Sequence, residues 1–115
     1  MEDIHRMPAG AILDTWSKDL WTNGVQIDRI GSMEKLAVRT RNSLYEIIVI
    51  DGPGGEILVR GGQFFPELTA AYLAGATLGG CICKMRSIYV GFCMEINANG
   101  QRIVTSPVQT ISVLV

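Results

Sequence analysis

The chain has 115 residues, of which 48% are hydrophobic and 18% charged, and its formal net charge is −1. This length predicts one domain covering residues 1–115, large enough to bury a core without disulfides. Because so small a net charge produces little long-range field, binding to a nucleic-acid backbone is not expected. A charged fraction below the roughly 25% of average domains leaves little polar surface and favours self-association.

The cysteines and the first residues bear on the cellular compartment. Cys81, Cys83 and Cys93 are odd in number and lack the spacing of a disulfide framework. The start Met1-Glu2-Asp3 lacks the basic and apolar regions of a signal peptide. No apolar run reaches the roughly 20 residues that cross a bilayer. We therefore expect a cytoplasmic protein with reduced thiols and no membrane insertion.

The first predicted element is a short amphipathic helix over residues 11–22. Pro8 precedes this segment, and Asn23-Gly24 follows it where a left-handed C-cap would end a helix. An extended arm with two tryptophans remains the alternative, because so short a helix is near the lower limit of stability. The apolar residues at helical spacing are Ile12, Leu13, Trp16, Leu20 and Trp21.

After Gly24 the hydrophobic pattern changes to the period of β-strands, which predicts a β domain over residues 25–115. In residues 44–51 apolar side chains fill both faces, which predicts a central strand. Residues 66–80 contain a possible helical turn interrupted by glycines, and we interpret them as irregular or strand. The predicted strands are residues 26–30, 35–41, 44–51, 56–60, 81–86, 88–97, 102–106 and 108–114.

Two hairpins follow from turn sequences. The turn Asn97-Ala98-Asn99-Gly100 joins two apolar runs, and Asn-Gly supplies the positive backbone angles that a tight hairpin turn requires. The glycine-rich loop at residues 51–55 joins strands 44–51 and 56–60 in the same way. Short antiparallel elements predict an all-β fold, a small antiparallel barrel or a two-layer sandwich, with one short N-terminal helix.

Three segments resemble parts of small uncharacterised bacterial all-β proteins. They are Val38-Arg39-Thr40-Arg41-Asn42-Ser43, Arg60-Gly61-Gly62-Gln63-Phe64-Phe65-Pro66 and Thr105-Ser106-Pro107-Val108. The resemblance covers about the latter two-thirds of the chain, and it implies no activity.

The sequence does not supply the residues that a metal site or nucleophilic catalysis would need. A structural zinc site generally uses four Cys or His ligands in close pairs, whereas this chain has three cysteines and a single histidine, His5. His5 precedes every predicted element, so it is a poor partner for a catalytic thiol or serine. We predict no metal and no cofactor, and we interpret all three cysteines as small buried hydrophobic residues.

The best candidate for a binding site is the end of the strand at residues 35–41 and the turn after it. Two arginines on one strand face offer planar guanidinium groups to a carboxylate or phosphate. The alternative is a solvated strand face with Glu46 or Glu56 as cross-strand partners. Tyr45, Phe64 and Phe65 could form the walls of a site, or could belong to the core. The predicted ligand-binding residues are Arg39, Arg41, Asn42, Ser43 and Tyr45.

Three functions remain open on the sequence. The first is a noncatalytic cytoplasmic module that self-associates and binds a small anionic ligand or a protein partner near residues 39–43. The second is a small enzyme whose pocket joins remote residues, with Arg41, Tyr45 and Glu95 as binding or acid–base groups. The third is a purely structural subunit. A dimer is the simplest oligomer, formed through the Trp16/Trp21 helix or through the apolar strand that ends at Val115.

Overall fold

The computed structural model describes residues 24–79 and 81–114, which form strands over 69% of their length. A single 3-10 turn, Ile27–Arg29, is the helical part of these residues. The ten strands are β1 (Gly24–Gln26), β2 (Lys35–Thr40), β3 (Leu44–Asp51), β4 (Glu56–Gly61), β5 (Phe65–Leu78), β6 (Cys81–Met85), β7 (Ser87–Tyr89), β8 (Cys93–Ala98), β9 (Gln101–Val104) and β10 (Val108–Leu114). The all-β prediction is confirmed, and the predicted helix at residues 11–22 lies outside the described residues.

The strands form two antiparallel sheets. The larger has eight strands in the order β10-β2-β3-β4-β5-β8-β9, with β6 paired to β5 beside this path. The smaller sheet contains β1 and β7. Within the described residues, no helix is long and apolar enough to cross a membrane.

The larger sheet does not close, so the barrel prediction is wrong. Its two end strands, β9 and β10, do not pair. The start of β10 is bonded instead to the turn between β7 and β8, where Gly91 N donates to Val108 O (2.8 Å) and Val108 N donates to Phe92 O (2.9 Å). The chain leaves β9 through a bend that contains Pro107, which has no N–H for a ladder. After this bend β10 pairs with β2 at the opposite end of the sheet.

Both predicted hairpins are confirmed. Asn99 and Gly100 have φ angles of 52° and 75°, so the turn between β8 and β9 takes the positive angles expected of Asn-Gly. The strand predicted at residues 44–51 is β3, which lies between β2 and β4 as a central strand should. Strand 108–114 also has the predicted bounds.

The strand predicted at residues 26–30 is wrong, because β1 ends at Gln26 and Ile27–Arg29 forms a 3-10 turn. Of the two alternatives for residues 66–80, irregular or strand, the structure has the strand. The segment at residues 66–80 contains most of β5, the longest described strand, which pairs with β4, β6 and β8. The predicted strand 88–97 is two strands, because the chain turns between β7 and β8 and Phe92 N donates to Tyr89 O.

One hydrophobic cluster joins both sheets. Alternate residues of β2, β3, β4, β5, β8 and β10 face it, as the period of two in a strand requires. Ile88 of β7 and Ile27 belong to the same cluster and are fully buried. The other fully buried members include Leu36, Val38, Ile47, Val49, Ile57, Val59, Leu73, Met94 and Ile96.

Candidate functional site

The turn between β2 and β3 is bonded to the bend that precedes β10. Arg41 N donates to Pro107 O at 2.9 Å, and Asn42 N donates to Ser106 Oγ at 3.1 Å. These bonds join residues that are more than 60 positions apart in the chain. The predicted site therefore has a second wall, contributed by the end of β9 and the residues after it.

Buried and half-buried hydroxyls fix this arrangement. Ser106 Oγ donates to Thr40 Oγ1 at 2.8 Å, and Thr40 Oγ1 also accepts from Ser43 N at 3.1 Å. Thr105 Oγ1 accepts from Met94 N at 3.0 Å and donates to Ser106 O at 2.8 Å. Since Thr40 and Thr105 are both buried, these bonds satisfy polar groups that would otherwise be costly to bury.

The third wall comes from the chain reversal between β4 and β5. Gly62 has a φ of +59°, and a Cβ at this position would lie 2.6 Å from the Tyr45 hydroxyl oxygen. Glycine is therefore required here both for the backbone angle and for the close approach to the phenol. This approach brings Gln63 and Phe64 beside the start of β3.

The three walls enclose an open cleft of about 380 Å³. This volume lies within the roughly 300–1,000 Å³ of small-molecule sites. Phe64 is 51% exposed and lines the cleft, whereas the neighbouring Phe65, predicted as a possible wall, is buried in the core. The lining residues are Asn42, Ser43, Tyr45, Gln63, Phe64, Val104, Thr105 and Ser106.

Several polar side chains of the cleft are free to contact a ligand. Tyr45 is 4% exposed and lines the cleft, and its hydroxyl bonds to no described residue. The side-chain amides of Asn42 and Gln63 also have no partner among residues 24–79 and 81–114. The Tyr45 ring packs in the hydrophobic core, so the cleft presents this phenol from a side chain that the core holds in place.

The structure separates the predicted arginines from the cleft. Asn42, Ser43 and Tyr45 line it, but Arg39 and Arg41 do not. Both arginines are exposed, and no carboxylate of the described residues forms an ion pair with either. The proposed cross-strand partner Glu46 pairs with Arg60 instead, and Arg39 lies opposite Leu44.

The residues of the enzyme hypothesis are not brought together in this cleft. Tyr45 lines it, whereas neither Arg41 nor Glu95 does. Glu95 is buried on β8 and contacts Arg102 of β9, with 2.9 Å between Oε1 and Nη2. A hydrogen bond to Glu95, together with its negative charge, raises the pKa of Arg102 above its ordinary value. Glu95 thus belongs to a cross-strand ion pair.

The cysteines also depart from their predicted environment. Cys81 is exposed and Cys93 is partly buried, so the interpretation of all three as buried hydrophobic residues is wrong. Burial raises the pKa of the Cys93 thiol above its ordinary value. In the part of the chain that the structure describes, no group of three or more His, Cys, Asp or Glu residues could hold a metal ion.

Sequence reasoning missed half of the cleft. Gln63, Val104, Thr105 and Ser106 come from two other turns. Each of these turns carries a sequence signal, Gly61-Gly62 in one and Pro107 in the other. These signals mark chain reversals, but they do not indicate which reversals become neighbours.

Comparisons of the chain with protein-family models, curated proteins and solved structures found no match. The resemblance to small bacterial proteins therefore stays a prediction.

Proposed function

We propose that this chain is a noncatalytic binding module of the cytoplasm that self-associates and holds a small, neutral, polyhydroxylated ligand in the cleft. The observation that carries the proposal is Tyr45, which lines the cleft with an almost fully buried side chain and whose hydroxyl has no described hydrogen-bond partner. The odd number of cysteines, without the spacing of a disulfide framework, supports a reducing compartment. The low charged fraction supports self-association.

The chemistry of the lining supports a ligand with many hydroxyl groups. A carboxamide offers both donors and an acceptor, so Asn42 and Gln63 match hydroxyls, which donate and accept. The exposed ring of Phe64 offers an apolar surface to the C–H face of a sugar-like ring. A monosaccharide is of suitable size for the cleft.

The absence of charge in the lining supports a neutral ligand without chemical turnover. The eight lining residues include no Asp, Glu, His, Cys, Lys or Arg. General acid–base catalysis commonly uses one of these groups, and an anion would lack a cation to pair with inside the cleft. The two arginines support the alternative of an anionic ligand or an acidic protein partner at a separate, exposed position.

The scaffold we infer is a two-layer sandwich, with the β1–β7 sheet as the smaller layer. Ile27 and Ile88 support it, because both belong to the buried cluster that the larger sheet faces. The β2–β3, β4–β5 and β9–β10 connections then surround the cleft on a rigid sheet.

Titration of the isotope-labelled protein followed by two-dimensional NMR tests the proposal. The probes are methyl glucoside, N-acetylglucosamine and cellobiose as neutral ligands, with inorganic phosphate as the anion. We expect a saccharide to shift the amide signals of residues 42–45 and 63–64 in a saturable manner. Phe64→Ala should weaken this binding by about 2 kcal/mol, roughly 30-fold, as loss of an aromatic anchor does.

Tyr72→Ala is the matched control. Tyr72 is an exposed aromatic residue, 55% accessible, on β5 and outside the cleft lining. Its loss should leave saccharide binding unchanged. Saturable binding of phosphate alone, with signals shifted around Arg39 and Arg41, would contradict the neutral-ligand proposal, and so would equal effects of the two aromatic substitutions.

A further inference from the structure

The two ends of the larger sheet differ in how well they are protected. At one end, β9 is four residues long and carries Arg102. At the other end, β10 is seven residues long, Val108–Leu114, and has no charged residue. Protein edge strands are usually kept short or charged, because unpaired backbone groups recruit another strand. Among the described residues, β10 pairs with one strand, β2, and its other side is bonded at Val108 to Gly91 and Phe92.

The register of β10 identifies the backbone groups at its free edge. Thr40 N donates to Ser43 O, so the hydrogen-bonding groups of Thr40, Val38 and Leu36 face β3 by alternation. The backbone groups of the alternate β2 residues face β10 instead. They form the pairs Arg39–Thr110, Ala37–Ser112 and Lys35–Leu114. The N–H and C=O groups of Ile111 and Val113 consequently point away from the sheet.

The β10 side chains on the core face of the sheet, Ile111 and Val113, are apolar. Val113 lies opposite the fully buried Leu36 and on the same face, yet Val113 is 52% exposed. Ile111 is partly buried against the core. The hydrophobic face of the sheet therefore extends to its last strand without cover from another described strand.

We propose that two copies of this chain pair through β10, antiparallel, about a two-fold axis at Ser112. This inference rests on the self-association included in the proposed function and gives it a surface and a register. In this arrangement Ile111 of each copy faces Val113 of the other, and each pair exchanges two backbone hydrogen bonds. The N–H and C=O groups of Ile111 and Val113 on each copy thus bond to the same four groups on the other copy, as the two-fold symmetry of an isologous interface requires.

Two further features favour a second copy in this register. The bulge between Val108 and Thr110 interrupts the ladder, so Ile111 and Val113 are the regular positions available on this edge. The nearest cations on the outward face are Lys35 and Arg39, one strand inside the edge. Across the dimer they are about three strand spacings apart, roughly 14 Å, which exceeds the screening length of about 10 Å at 0.1 M salt.

Cysteine cross-linking tests the register. In a non-hydrogen-bonded antiparallel pair the Cα atoms are about 4.5 Å apart, which a disulfide can span. Ser112→Cys should therefore convert most of the protein to a disulfide-linked dimer under mild oxidation with glutathione. In Thr110→Cys the two new thiols would be about four residues apart along the strands, roughly 13 Å, too far for a disulfide. That variant should cross-link no more than the wild type.

Sedimentation equilibrium of the full chain tests the association itself. Val113→Pro removes the outward N–H and leaves the bonds between β10 and β2 in place, so two of the four hydrogen bonds are lost. We expect the dimer dissociation constant to rise about tenfold or more. Val113→Ala removes the side chain but keeps the N–H, so its smaller effect on the dissociation constant measures the side-chain part, and equal effects of the two variants would contradict the backbone pairing. Circular dichroism of both variants verifies the fold.

The outcomes separate the two proposals. A wild-type monomer at about 100 μM, well above the micromolar range of specific complexes, would overturn both self-association and its register. Coverage of the β10 edge by residues 1–23 would overturn the β10 pairing alone. A wild-type dimer without cross-linking at Ser112→Cys would overturn the β10 register alone. Neither result depends on whether a saccharide binds the cleft.

Discussion

Single hydroxyl groups determine the shape of the cleft. Thr40 Oγ1 receives hydrogen bonds from Ser106 Oγ and from Ser43 N, and it donates to Ser43 O. One buried oxygen thus fixes the turn after β2 and also links it to the bend before β10. Its removal leaves two donors without this acceptor in a position where water has little access.

Thr40→Val tests this role, because it replaces the hydroxyl by a methyl group of similar size. We expect the free energy of unfolding to fall by about 1–3 kcal/mol, the usual cost of leaving buried donors unsatisfied. Urea denaturation measures the change. Thr69→Val is the control, since the Thr69 hydroxyl donates to Glu67 O at an exposed position and its loss should cost less than about 0.5 kcal/mol. Equal losses in the two variants would contradict a special role for Thr40.

A second prediction at this scale concerns thiol reactivity. Burial raises the pKa of the Cys93 thiol above its ordinary value of 9.0, so less thiolate is present at a given pH. Iodoacetamide should alkylate Cys93 more slowly than the exposed Cys81, as followed by peptide mass spectrometry. The folded state favours the protonated thiol, so its contribution to stability is full below the ordinary pKa and is lost as pH rises through the raised pKa. The difference in rate should disappear in urea, and equal rates in the folded protein would contradict the prediction.

At the scale of elements, β5 depends on one glycine. Gly75 has a φ of +151°, and a Cβ at this position would collide with the backbone of Lys84 in β6. The ladders from β5 to β8 and from β5 to β6 both shift register near this residue. Gly75 therefore lets one long strand accept neighbours on both sides.

Gly75→Ala should lower the free energy of unfolding by about 3 kcal/mol or more, because backbone strain and overpacking add. Gly79→Ala provides the matched control. Gly79 also has a positive φ, +63°, but a Cβ there would have no neighbour within 4 Å, so the cost should be about 1 kcal/mol. Thermal unfolding measures both variants. A similar loss at the two positions would show that close approach to β6 is unimportant.

The same glycines explain which elements could be predicted from the sequence. The sequences of β2, β3 and β10 show either alternation of apolar and polar residues or a continuous apolar run. Their predicted bounds agree with the structure within one residue. β5 was ambiguous because Gly75 and Gly79 resemble breaks in a local pattern, whereas here pairing with three strands outweighs local propensity. Only part of the cleft lining was predicted. Asn42, Ser43 and Tyr45 were found because they are close in sequence. Gln63 and Ser106 were missed because only the sheet topology brings them near these residues.

For the whole molecule, the helix predicted at residues 11–22 is the element that most needs a direct test. Its apolar residues would form one stripe, with Trp16 inside it and Trp21 at one edge. Cα chemical shifts of the full chain should show helical values across at least two turns of this segment. Values typical of extended chain throughout residues 11–22 would favour the alternative of an extended arm.

The position of β10 beside β2 has a consequence for synthesis of the chain on the ribosome. β10 is translated about 70 residues after β2, which takes roughly 4–14 s at 5–20 residues per second. During this interval the nascent chain contains β2 without β10. The charged residues Lys35 and Arg39 then protect the exposed edge of β2 from pairing with other chains. Vectorial folding can thus assemble the middle strands in order, but pairing at the free edge of β2 waits until β10 has been made.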